Sequence, residues 1–453
     1  MLPAAQFLLM LLYALLPVLT LAWALLAVYR HRRLDPLVSF ATTCLAAFIA
    51  CTAFIVLNGF IMGGPTPIPQ GIRFVYLLIA VICLLKLLDR LLLRAFFHAA
   101  RVPLDLHRRP LSPYRARACA VLILQRALML AIILSYAASL IITYRPRVLL
   151  RALPPSRFDL SPSLAHFPTR DGFLLTAWWV PVTANPPDSD PDIAPQWATR
   201  TVILCHGLAS GKENLLPLAS FLHERGFNVL LFDFRAHGQS DGNFITYGDR
   251  ERLDVLAAAH WVKANHPDRA QRLFGVGINT GAAALIAAAA DPADGRVIDA
   301  LVLCEPYARF KTLAQTLADD TLPLPVAWLV RNISLPLASL HTGHHLNAFA
   351  PRDFALDLWP RPVLIIHGRS VTCIPVDQQM DLYREIPQPK EQFWPAENLA
   401  AARDRLRRAA GDTAMLTEML RQWFGTSTMI TDDPGVRDVT LRFLREAQPT
   451  PVI

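Results

Sequence analysis

Between Met1 and Tyr29 the chain carries no charged side chain, and the run stops abruptly at Arg30, His31, Arg32 and Arg33. About 20 apolar residues in helical conformation cross the ~30 Å hydrocarbon layer of a bilayer. A helix or a closed barrel is the only structure that satisfies its backbone there. This run is therefore read as a membrane-spanning helix. It lacks the basic start, the short apolar stretch and the small-residue cleavage site of a secretory signal, so it is read as retained. A second uncharged run covers Pro36 to Gln70, its helical part ending near Gly59 to Gly64 before a turn at Pro65, Pro67 and Pro69. A third spans roughly Ile72 to Leu93, where Lys86, Asp89 and Arg90 lie near enough to its end to snorkel. The fourth runs from about Ala118 to Tyr144 and contains Arg126. An arginine at that depth is either a pathway residue or one that reaches the headgroups, and the second reading weighs more.

The loops between these runs set an orientation. The first carries Arg30, Arg32 and Arg33, the third carries seven arginines from Arg90 to Arg117, and the second only Arg73. Basic loops stay cytoplasmic, so both termini and everything after the fourth run are expected on the extracytoplasmic side. Arg145, Arg147, Arg151 and Arg157 count against that orientation. The expectation is an integral, multi-pass membrane domain over residues 1–150 with the lipid bilayer as its first partner, and a separate domain over 151–453.

Composition agrees with the partition. The 453 residues are 53% hydrophobic and 18% charged, which excludes a disordered tail and falls below the ~25% charge of an average soluble domain. The net charge of +8 is not a nucleic-acid signal, since only five of 44 basic residues are Lys and many arginines flank the apolar runs. Seven cysteines without close spacing give neither a disulfide framework nor a zinc pattern. Four of them lie in the apolar runs; Cys205 and Cys304 fall in central strands and are read as buried thiols, which leaves the redox compartment unreported.

Beyond Pro154 short β-branched runs alternate with helical stretches, the pattern of a mostly parallel sheet covered by helices on both faces. Strands are expected at Thr201 to Cys205, Asn228 to Phe232, Arg272 to Val276, Ala300 to Cys304, Pro362 to Ile366 and Gln392 to Pro395, with an outer antiparallel strand over Phe173 to Val180. Helices are expected near Glu213 to Arg225, Asp249 to Asn265, Gly281 to Ala290 and Pro375 to Arg384. From about 307 to 358 the rhythm lapses into apolar, Pro-broken helices, which reads as an inserted cap.

Several motifs follow in order at the strand ends: Phe167-Pro168-Thr169-Arg170-Asp171-Gly172, Cys205-His206-Gly207, Asp233 through Gly242, and Thr246-Tyr247-Gly248-Asp249-Arg250-Glu251. Over residues 160 to 450 this series resembles the α/β-hydrolase superfamily, its serine-aminopeptidase-like and dienelactone-hydrolase-like members in particular. The resemblance implies an α/β-hydrolase fold with a cap, esterase or acyl-transfer chemistry, and a Ser-acid-His triad. It also implies that the loop holding Arg235, His237 and Asp241 serves packing.

Residue by residue, the triad is not carried over. The sharp strand-to-helix turn that would read G-x-S-x-G reads Gly277-Ile278-Asn279-Thr280-Gly281, with a neutral amide at the nucleophile position. Asn tolerates positive φ better than other non-glycine residues, so the turn can form; Thr280 falls one position late. Val371 stands where the resembling enzymes place the acid, although Glu305 occupies an alternative acid position one strand earlier. No histidine follows His367, and Glu397 stands near the place of the base. His341, His344 and His345 form the one histidine cluster in the cap, read as a polar helix end rather than a metal site, and no cofactor is implied. The backbone N–H groups of Leu208 and Thr280 fall where an oxyanion hole would form.

Two functions follow as expectations. In the first, a membrane-anchored hydrolase-like domain has lost its triad and acts by binding a small acyl or carboxylate ligand or a membrane protein partner, as a sensor or scaffold. In the second, an esterase, lipase-like or peptidase-like enzyme works near the bilayer with Thr280, Glu305 and His344 as relocated groups. A third, weaker reading gives the function to the membrane helices, with Arg126 as a pathway residue.

Overall fold

The computed structural model describes residues 154–182, 198–208, 210–368, 374–395 and 433–447, and scattered residues between 123 and 144. The first three apolar runs and Arg126 lie outside the described residues; those described from 123 to 143 are helical. Among the described residues no helix is long and apolar enough to cross a membrane. The chain divides into two compact units, 1–137 with 148–151 and 138–147 with 152–453.

The second unit is built on one eight-stranded sheet. Its strands are β1 (Ser163–Pro168), β2 (Leu174–Val180), β3 (Arg200–Cys205), β4 (Asn228–Phe232), β5 (Arg272–Ile278), β6 (Ala300–Cys304), β7 (Val363–Ile366) and β8 (Lys390–Phe393). They stand in the order β1-β2-β4-β3-β5-β6-β7-β8. The β1–β2 and β2–β4 pairs are antiparallel and all others parallel. Among the described residues its helices from 216 onward are α1 (Leu216–Glu224), α2 (Glu251–Asn265), α3 (Thr280–Ala289), α4 (Phe310–Thr321), α5 (Leu324–Leu329), α6 (Leu335–Thr342), α7 (Val376–Glu385) and α8 (Pro434–Glu446).

Strand alternation sorts the core into two layers. Ile203, Cys205, Leu301, Leu303 and Ile365 face one layer with Val255 and Ala259 of α2, Ala282 and Leu285 of α3 and Leu382 of α7. Val202, Leu204, Val276, Val302 and Leu364 face the other with Leu218 and Leu222 of α1 and Val436 and Phe443 of α8. Beyond their entry residues Arg200, Thr201, Asn228 and Arg272, the central strands carry no polar side chain because both of their faces are covered.

Three sequence expectations need correcting. The strand at Leu174–Val180 is not outermost: β1 pairs on its far side from Ser163 to Pro168. That edge strand carries exposed Leu164 and His166 between buried residues, so its apolar signal is weak. The last strand is Lys390–Phe393, two residues earlier than expected, because a half-buried edge strand tolerates Lys390, Glu391 and Gln392. Helix α8 went unpredicted although its signature is strong: Asp433 caps it by accepting from the Val436 N–H at 3.0 Å, and Pro434 occupies its first turn. Its inward residues Val436, Val439, Thr440, Phe443 and Leu444 follow helical spacing.

The loops at the carboxyl edge of the sheet are pinned by buried ions. Lys212 Nζ lies 2.5 Å from Asp233 Oδ2, with both side chains inaccessible to solvent. Asp233 also accepts the N–H groups of Lys212 and Gln239, each at 3.0 Å. Burial alone would raise the Asp233 pKa, but the charge and hydrogen bonds of Lys212 hold it below the usual value. Arg235 forks onto Asp254 and Asp171, with contacts of 2.6 and 2.7 Å. Lys212→Met strands the Asp233 charge, so a loss of about 3–5 kcal/mol is expected in denaturant unfolding. Adding Asp233→Asn should recover most of it; an unchanged double mutant would show that the pair is not the pin.

Candidate functional site

Strand β5 runs into α3 through Asn279, whose φ of 52° and ψ of −112° are seldom adopted by a side-chain-bearing residue. Neighbours hold it there. The Asn279 N–H donates to Cys304 O of β6 at 2.8 Å, and its carbonyl accepts the Ala283 N–H at 3.1 Å as the first helical bond. The flanking glycines permit the close approach. A Cβ on Gly281 would lie 2.4 Å from the carbonyl oxygens of Cys205 and His206, and one on Gly277 2.6 Å from Ala282 Cα. Asn279 therefore occupies the apex of a strained elbow at the carboxyl edge of the sheet, half-buried, with Thr280 opening α3 one position later.

Against this apex lies the loop leaving β3. Phe234 N–H donates to His206 Nε2 at 3.0 Å, so the ring proton sits on Nδ1, which donates to Gly207 O at 2.8 Å. With both nitrogens used and burial pushing its pKa down to about 3, His206 is a neutral structural residue. The backbone N–H groups of Leu208 and Thr280 make no hydrogen bond among the described residues. Such donors at a helix start suit a carbonyl oxygen or a carboxylate.

Glu305 follows β6 directly, with φ 49° and 1% exposure. Its N–H donates to Ile366 O at 2.8 Å, yet neither carboxyl oxygen has a hydrogen-bond partner among the described residues. Burial pushes its pKa up to about 8, which leaves it proton-bearing at neutral pH. On the neighbouring strand His367 is buried against Trp394 with a ring distance of 5.8 Å, and burial pushes its pKa down to about 4.

The histidines of the cap lie elsewhere. Arg250 Nε donates to His344 Nδ1 at 3.1 Å, which fixes that nitrogen as an acceptor, and burial together with Arg250 lowers the ring's pKa. His344 is thereby held to the 246–251 loop rather than to Asn279, and His345 is exposed. The side chain of His341 and the residues Val371 and Glu397 lie outside the described residues. Among the described residues no cluster of His, Cys, Asp or Glu could hold a metal ion. Cys205 and Cys304 are free, buried thiols, and burial pushes both pKa values far up.

Three features of the site escaped the sequence reading. Glu251 collects the Thr246 N–H at 2.8 Å, the Thr246 hydroxyl at 2.7 Å and the Gly248 N–H at 2.7 Å, which fixes the Thr246–Glu251 loop. That loop holds Tyr247 at φ 57°, and the Tyr247 carbonyl accepts the hydroxyl of Tyr307, two residues beyond Glu305. That neither carboxyl oxygen of Glu305 has a hydrogen-bond partner among the described residues is the third, and no local pattern signals it.

Residues 196–353 match the family model for serine aminopeptidase, S33. The chain is 27% identical over 226 residues to the uncharacterized protein YfhR of Escherichia coli O157:H7, which spans 50% of this chain and 68% of that protein. It is 32% identical over 212 residues to the uncharacterized protein YqkD of Bacillus subtilis, covering 46% and 66% of the two. Among solved structures the Pf2001 esterase of Pyrococcus furiosus superposes with a TM-score of 0.43 at 25% identity, over 56% of this chain and 88% of that one.

The state of Glu305 is testable through pH. The native protein keeps this proton up to about pH 8, whereas an unfolded glutamate releases it near 4.3, so stability falls as pH rises between those values. Glu305→Gln removes that loss: its unfolding free energy in denaturant should match the parent's near pH 4 and exceed it increasingly toward pH 8, by up to about 1.4 kcal/mol per pH unit. Parallel pH profiles for parent and variant would mean that the carboxyl is ionised and paired in the native protein.

Proposed function

We propose that this chain, whose residues 196–353 match the serine aminopeptidase, S33, model of the α/β-hydrolase superfamily, binds an acyl or carboxylate group at the elbow without hydrolysing it. In this reading the domain is a sensor or scaffold carried by four N-terminal membrane-spanning helices, on the extracytoplasmic side. The observation that carries it is Asn279 at the apex, in the strained conformation that would lift a nucleophile above the sheet. A carboxamide is neutral and cannot attack an acyl carbon. No hydrogen bond among the described residues runs from Asn279 or Thr280 to a histidine, which supports a site without an activating base. The N–H groups of Leu208 and Thr280 supply the binding half of the machinery, and an oxyanion hole alone falls orders of magnitude short of a complete triad.

One observation favours a second reading. Glu305 stands where the alternative acid would, buried with neither carboxyl oxygen hydrogen-bonded among the described residues, so it is the group that an esterase with relocated groups would ionise against an imidazole. That reading needs Thr280 as nucleophile and His344 as base, and His344 is engaged with Arg250.

A fluorophosphonate probe and an ester panel separate the two. The full-length chain in nanodiscs should show no covalent labelling and no turnover above the uncatalysed rate, while a medium-chain carboxylate raises its melting temperature by mass action. Labelling lost in Thr280→Ala, or ester turnover lost in His344→Ala, would establish the hydrolase instead.

A further inference from the structure

The cap displays apolar side chains that nothing among the described residues covers. On α5 Leu324 is 80% exposed and Trp328 53%, and Leu340 on α6 is 77% exposed. Pro323 and Pro325 are exposed beside them, and the stretch from Leu322 to Val330 holds no charged residue. Single exposed leucines are ordinary; a solvent-facing Leu and Trp on one uncharged short helix form a patch that calls for a partner.

The opposite side of α5 identifies that partner. Ala327 and Val330, with Ala318 of α4, pack against Ala138 and Ile142. Those two residues lie near the end of the fourth apolar run of the sequence, and the described residues from 138 to 143 are helical. The chain thus enters the α/β unit at the helix whose other side exposes Leu324 and Trp328. The entry is firmly tied: Tyr247 Oη donates to Ile142 O at 2.6 Å, Ile245 N–H to Thr143 O at 2.9 Å, and Tyr144 packs edge-on against Phe244 at 5.5 Å.

We infer that α5 is a membrane-contacting element: Leu324 and Trp328 seat in the interfacial layer of the bilayer that carries the N-terminal apolar runs. Trp and Leu are the side chains such a layer accepts, the indole ring spanning its apolar and hydrated zones. Local charge neither drives nor opposes the contact, since Asp319 is paired with Arg331 at 2.9 Å and exposed Asp320 is offset by exposed Lys311. The surface contacted is therefore zwitterionic lipid, with no requirement for anionic headgroups. The inference rests on the membrane-anchored reading above and adds that the cap over the elbow lies against the bilayer.

Hydroxyl-radical footprinting of the full-length chain, one copy per phosphatidylcholine nanodisc, tests this with an internal control. Trp359 is 55% exposed, nearly matching Trp328, and lies outside α5. Trp328 should oxidise several-fold more slowly than Trp359, and Leu324→Glu should abolish that protection. Equal oxidation of the two tryptophans in a chain that resists alkaline carbonate extraction overturns the inference while leaving the anchor intact. Release by carbonate overturns the anchor itself, and the inference with it. Protection that appears only with two copies per nanodisc assigns the patch to a second copy of the chain and overturns the inference as well.

Discussion

The contact between Gly281 and the carbonyls of Cys205 and His206 sets the geometry of everything at the carboxyl edge of the sheet. With hydrogen in place of a methyl group, α3 can start directly against the exit of β3, and the intervening residue must turn through a conformation that costs about 1–3 kcal/mol. That cost falls on Asn279. The Cys304 carbonyl and the first helical hydrogen bond over-determine its backbone, and the sheet beneath it is apolar on both faces. The fold keeps the strain that raises a side chain above the sheet, while the side chain raised is an amide.

The electrostatics around the elbow follow from burial. His206, His367 and Glu305 are all held neutral by desolvation, His206 with both ring nitrogens engaged and Glu305 with neither oxygen engaged among the described residues. The charges that survive inside, Lys212 with Asp233 and Arg235 with Asp254, are paired and serve the loops. In the proposed reading, the neutral His206, His367 and Glu305 together with N–H donors at the elbow suit recognition of a polar acyl head. Tyr307, bonded to the Tyr247 carbonyl, and Tyr247, bonded to Ile142, join the strand end carrying Glu305 to the point where the chain enters the domain.

Much of this was legible in the sequence because the central strands are buried on both faces and read as continuous apolar runs. β4 and β6 match their expected ranges residue for residue. The peripheral elements were less legible for a physical reason: β1 and β8 are half-solvated, so their composition is mixed and their apolar pattern short. Helix α8 could have been found from Asp433, Pro434 and its helical spacing. In the site, Asn279 was visible because two glycines frame it. The lone burial of Glu305, the neutral tautomer of His206 and the attachment of His344 to Arg250 depend on residues distant in sequence, which no local pattern carries.

The most direct measurement loads the full-length chain with a medium-chain ester, removes the free ligand, and extracts what stays bound. An elbow that binds but cannot attack returns the ester intact and leaves the protein's mass unchanged. Recovery of free acid and alcohol, or an acyl group left on the chain, would contradict the account.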